Sequence, residues 1–143
     1  MKKLYDQTGF LISILAHDIS RIHGRFVESI GLTVPQSKVI TYLFSRGDED
    51  VFQIDIEKHL KLKGATITGI IDNLVRAGFI NRVISKADNR YKKIVLTEKG
   101  KSTYDVVSKS AFSIEERLVK GMSEEEKQQL QILIRKAVKN MED

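Results

Sequence analysis

The sequence predicts a mainly α-helical chain with one small β hairpin, and three observations between Gln53 and Gly100 lead there. First, two short segments of apolar-periodic residues, QIDIEKHL and ATITGIIDNLVRAG, are separated only by the turn KLKG. Second, Ile67, Ile70, Ile71 and Leu74 line one side of the second segment, while Thr66, Thr68, Asn73 and Arg76 occupy the other. Hydroxyls and amides can face base edges while the aliphatic side holds such a helix on its scaffold. Third, residues 79–96 contain two short strand-like runs around Ala87, Asp88 and Asn89, residue types that accept tight turns. That hairpin carries Arg82, Lys86, Arg90, Lys92 and Lys93, with only Asp88 against them. Together these features predict a winged helix-turn-helix flanked by long N- and C-terminal helices.

Each element has its own signal. Over residues 4 to about 30, Phe10, Ile14, Leu15, Ile19, Ile22 and Phe26 recur at three- and four-residue intervals, as in a long amphipathic helix. Gly24 is expected to interrupt it and Gly31 to end it. Thr33 and Gln36 form a capping box ahead of a helix that tolerates Pro35 in its first turn and buries Val39, Ile40, Leu43 and Phe44. The run from Arg46 to Asp50 reads as a solvated turn. Ile54, Ile56 and Leu60 mark a short helix, Gly64 opens the next, and Gly78 caps its end with Phe79 and Ile80 folding back. After the hairpin, Thr97 caps a helix over residues 98–120; Gly121 separates it from a last helix over 124–140, capped by Ser123. The expected division is a DNA-reading part over 33–96 and helical dimerisation parts over 1–30 and 98–143, within one domain spanning 1–143.

Charge placement points to a phosphate-bearing partner. The 143 residues carry a net charge of +5. Residues 1–60 hold seven basic and eight acidic residues, 61–93 hold eight and two, and 94–143 hold nine and nine. The excess therefore lies in the reading helix and wing. Arg82, Lys86, Lys92 and Lys93 suit phosphates, as does Lys63 at the helix start. Thr66 and Thr68 have two readings: contact with bases or phosphates, or hydroxyls bonded to the preceding turn.

Other functions find little support. Without cysteine there is no disulfide, cysteine-ligated zinc site or thiol switch. No apolar run has transmembrane length, so a cytoplasmic location is expected. No nucleophile stands beside an activated base and no glycine-rich nucleotide loop occurs, so neither catalysis nor a cofactor is expected. His17, His23 and His59 lack metal-ligand spacing; His17 is instead a candidate to border an effector cleft near the dimer helices.

Several fragments in order carry a family resemblance. Asp88-Asn89-Arg90 followed by Leu96-Thr97-Glu98-Lys99-Gly100 looks like the wing and wing-to-helix signature of the multiple-antibiotic-resistance regulator (MarR-type) family. Asn73-Leu74 with residues 77–82, and Leu32-Thr33 with Gln36, are similar to its other signatures. The resemblance covers the whole chain. It implies a homodimer on a pseudo-palindromic duplex operator, usually a repressor, released when a small aromatic or anionic effector enters a cleft between the dimerisation helices and winged part. By position, Thr66 and Thr68 would lie near major-groove edges, Arg90 would enter the minor groove, and Asp88 would brace the wing tip. Two positions depart from the family pattern: Gly69 stands where a long polar reader is common, and Glu57 where a small apolar residue is.

Overall fold

The computed structural model describes residues 3–87 and 90–142. A short 3-10 turn, Leu4–Asp6, precedes α1 (Thr8–Ser29). Then come α2 (Val34–Ser45), α3 (Gln53–Leu60), α4 (Gly64–Arg76), β1 (Ile80–Ile84), β2 (Lys92–Leu96), α5 (Glu98–Leu118) and α6 (Glu124–Asn140). The chain divides into two compact units, Met1–Ala111 and Phe112–Asp143.

In the first unit, the caps set the helix boundaries. The Thr33 hydroxyl accepts from the Gln36 amide at 3.3 Å while the Gln36 side chain accepts from the Thr33 amide at 3.0 Å. Such a cap is worth about 1 kcal/mol. Gly31 takes φ +80° just past α1, and Gly78 takes φ +84° past α4. Gly24, expected to interrupt α1, lies inside an unbroken helix. A helical glycine costs only about 1 kcal/mol, and packing of α1 against α2 holds this one, with Val34 Cγ2 3.7 Å from where a Cβ would sit. Between α3 and α4 the left-handed residue is Lys61, at φ 55°.

The core gathers Val27, Val39, Ile40, Ile56, Ile67, Ile71, Leu74 and Ile80, all fully buried. Phe44, expected in this core, instead lies 41% exposed and stacks on Tyr104 at 3.7 Å between ring centroids. It sits one residue beyond buried Leu43, about 100° round α2. The hairpin pairs antiparallel from Ile80↔Leu96 to Ile84↔Lys92. A further bridge, Phe52↔Lys93, and the Ile94 amide donating to the Val51 carbonyl at 2.7 Å anchor β2 to the segment before α3.

The wing returns to the end of α4 through Thr97. Its hydroxyl donates to the Gly78 carbonyl at 2.6 Å and accepts from the Gly100 amide at 3.1 Å. Lys99 Nζ donates to the Ala77 carbonyl at 2.8 Å and lies over the Phe79 ring. Gly100 is buried so closely that a Cβ there would overlap the Phe79 carbonyl oxygen.

In the second unit, Gly121 takes φ +82° after α5. Ser123 and Glu126 then form a reciprocal capping box at the start of α6. No residue of α6 is buried.

Candidate nucleic-acid interface

The α4 side chains divide cleanly. Ile67, Ile71 and Leu74 are fully buried, whereas Thr66, Thr68, Gly69, Asn73 and Arg76 are exposed on the outer side. Ile70, read as part of the inward stripe, is half-buried. The outer groups differ in what their polar atoms do. Among the described residues, the Thr66 hydroxyl has no intramolecular partner. Thr68 Oγ1 donates to the Gly64 carbonyl at 2.9 Å and accepts from Gln53 Nε2 at 2.8 Å. Asn73 Oδ1 accepts from Arg76 Nη1 at 3.0 Å. A Cβ at Gly69 would meet nothing within 4 Å, so the space before that position is open.

Glu57, one of the two departures, is half-buried and partnered. It accepts from Gln53 Nε2 at 3.2 Å, and its Oε1 lies 3.1 Å from where a Gly64 Cβ would be. A carboxylate beside the first residue of α4 complements the positive end of the helix dipole. Gln53 thus ties Glu57 and Thr68 together across the α3–α4 turn.

Two of the wing's cations are held by acids of its support. Arg82 pairs with Asp72 of α4, and Lys93 pairs with Asp50 at 3.2 Å. These two are half-buried and link the hairpin to its support, a role that spacing alone does not reveal. Lys86, Arg90 and Lys92 are exposed, as is Lys63 before α4. The Arg90 guanidinium lies 5.9 Å from the Tyr91 ring centroid. Asp88 and Asn89, predicted to form the tip, lie outside the described residues, and so does the bracing role of Asp88.

A cavity of about 450 Å³ opens among α1, α2, α3 and the middle of α5. His23, Ser37, Lys38, Tyr42, His59 and Tyr104 contribute to its lining. His23 Nε2 lies 3.4 Å from Ser37 Oγ, and Tyr42 stacks on His59 with ring centroids 4.2 Å apart. Burial first, then the nearby Lys38 ammonium, holds the His23 imidazole below its ordinary pKa. His17 is exposed on α1 and is not part of this lining. His23 and His59, 36 positions apart, gave no sequence signal of their proximity.

Among the described residues, no helix is long and apolar enough to cross a membrane, and no group of three His, Asp or Glu is placed to hold a metal ion.

A polar-faced helix on an aliphatic core, followed by a cationic hairpin, defines a winged helix-turn-helix protein. Comparison with known proteins places it further. A family model described as "Transcriptional regulator SarA/Rot" matches residues 21–107. The HTH-type transcriptional repressor YetL of Bacillus subtilis (strain 168) is 32% identical over 113 residues, covering 79% of this chain and 68% of its own. The S. aureus MepR–DNA complex superposes with TM-score 0.85 at 24% identity, covering 98% of this chain and 100% of that one. S. aureus MepR bound to ethidium bromide gives TM-score 0.65 at 25% identity, covering 98% and 100%. The chain belongs to the SarA/Rot family of transcriptional regulators, has the MarR-type winged helix-turn-helix fold, and is a DNA-binding transcription regulator.

Proposed function

We propose that this regulator is a homodimeric repressor that reads a pseudo-palindromic operator and leaves it when a small aromatic or anionic compound binds. Its reading head comprises residues 33–96, and residues 1–30 and 98–143 serve dimerisation. The observation that carries the dimer is apolar surface left uncovered on the long helices. Phe112 is 72% exposed and Leu133 61%, with Leu11, Ile14 and Val138 also in solvent. Single exposed apolar residues are ordinary, but series of them along several helices favour burial against a second copy.

In this reading Thr66, Thr68, Asn73 and Arg76 approach the major groove, while Lys63, Lys86 and Lys92 meet phosphates. Arg90 enters the minor groove, whose negative potential favours a guanidinium. Arg82 and Lys93 contribute field while also holding the wing. The cavity lined by Tyr42, His59, Tyr104, His23 and Lys38 combines aromatic walls with basic groups, which suits a planar anion. YetL is named a repressor and MepR has been solved with ethidium bromide, which supports repression and ligand control here.

Selection of duplexes from a random pool, followed by affinity measurements across a salt series, tests the reading. It requires a two-fold-symmetric site bound by two chains, with affinity falling steeply as salt rises. Equal binding to every duplex would remove sequence reading, and a monomer on DNA would remove the dimer. Reporter output that rises with the protein would make it an activator.

A further inference from the structure

Two threonines two residues apart on the exposed side of α4 have opposite chemistry. The Thr66 hydroxyl is unpartnered among the described residues, whereas the Thr68 hydroxyl is held twice within the protein. Its one proton goes to the Gly64 carbonyl at 2.9 Å, and one of its lone pairs receives Gln53 Nε2 at 2.8 Å. Thr68 therefore has no donor left for a base. Rotating it outward breaks two hydrogen bonds and leaves Gln53 with Glu57 alone. Yet the residue is exposed. With Oγ1 engaged within the protein, the group it has left to offer a groove is the Cγ2 methyl.

Only one base-edge feature in the major groove is matched by a methyl group, the C5-methyl of thymine. Neighbouring surface favours the same contact. Ala65 is exposed one turn before, and Gly69, the next residue, projects nothing that would hold the helix away from the base edges. The geometry points to Thr68 as a specificity-determining residue that selects thymine through its methyl group, with Gln53 as the positioning residue that fixes its rotamer. This inference rests on α4 being the major-groove reader, as set out under Proposed function.

The test replaces each thymine of the selected operator, symmetrically in both half-sites, by deoxyuridine, which removes only the C5-methyl. The readout is the ratio of affinities for the thymine and uracil forms, a quantity that a general loss of folding or charge does not change. At one thymine per half-site, loss of the methyl weakens wild-type binding by about fourfold per half-site, the scale of one buried methylene. Thr68→Ser keeps the hydroxyl and loses the methyl, so its ratio falls to about one at that position. Thr68→Val keeps the methyl, so the ratio persists although overall affinity drops with the loss of the Gln53 contact.

A ratio near one at every thymine in the wild-type protein overturns the inference. So does a ratio that survives in Thr68→Ser, because the side-chain methyl would then not be the reading group, or one that vanishes in Thr68→Val, because valine keeps methyl groups there in a rotamer that the helix itself fixes. Failure to recover any preferred duplex would instead remove the DNA-reading premise, and this inference with it.

Discussion

Helices α4 and α6 are both amphipathic, yet they use their apolar sides differently. In α4, Ile67, Ile71 and Leu74 are fully buried, and the exposed side is polar or bare. In α6 no residue is buried, and Ile132, Leu133 and Val138 all lie more than half exposed. Helix α4 is therefore covered within one chain, whereas α6 leaves apolar residues uncovered. Burial in α4 supports local folding, and in the proposed dimer the same residue types in α6 would support association.

The sharpest way to break this contrast is to make the same substitution in both helices. Leu74→Ala should lower unfolding free energy by about 2–5 kcal/mol, the range for a truncated core leucine, at every protein concentration. Leu133→Ala should instead weaken the concentration dependence of the melting midpoint, because coupled association makes that midpoint depend on protomer level. Denaturant unfolding at several concentrations reads both. Equal losses, independent of concentration, would mean that α6 is not held by a second copy.

Next in size is the junction joining the wing to the end of α4. A Cβ at Gly100 would overlap the Phe79 carbonyl oxygen and press on Leu96 Cδ2 at 2.9 Å. Gly100→Ala should cost about 1–3 kcal/mol, the range for overpacking. Gly69→Ala, with nothing within 4 Å, should fold at least as well as the parent because alanine favours helix. Thermal melts of the two variants provide the comparison; matching midpoints would show that the Phe79–Gly100 contact carries no strain.

How much of this was legible follows from the range of each signal. The capping box at Thr33, the cap at Ser123, the Gly78 turn and the two hairpin strands are local patterns, and each lies where the residues placed it. Long-range pairings left no such trace. Arg82 with Asp72 and Lys93 with Asp50 join residues 10 and 43 positions apart, so charge counting treated all wing cations alike. Lys61 adopts the left-handed conformation with no glycine to advertise it. The Thr68 hydroxyl depended on Gln53, 15 residues earlier, and the histidine-lined cavity on three helices meeting a fourth.

A smaller effect distinguishes the wing's cations by what they do on DNA. Arg90→Ala should reduce operator affinity about tenfold, within the range for a groove-contacting arginine. Lys92→Ala should weaken binding to all sequences alike and reduce the salt slope by about one. Arg82→Ala should lower the midpoint as well as affinity, since it also unpairs Asp72. An Arg90 variant with parental operator affinity at matched salt would remove it from the interface.

The smallest effect belongs to His23. Its folded pKa lies below the ordinary value near 6.5 because burial and then Lys38 disfavour the imidazolium. Between that lowered value and 6.5 the unfolded chain binds more protons than the folded one, so this contribution to stability is full above 6.5. It declines as pH falls through the window and levels off below the folded pKa. Melting midpoints of the parent and His23→Gln should therefore run parallel near pH 8 and diverge in relative terms toward about pH 5, the range in which histidine titrates. An anion such as benzoate in the cavity would stabilise the imidazolium, so its binding should tighten on acidification in the parent and lose part of that pH dependence in His23→Gln. Parallel melting curves across the range would mean that His23 does not titrate differently in the fold, and a pH dependence of benzoate binding shared by both proteins would remove His23 as its source.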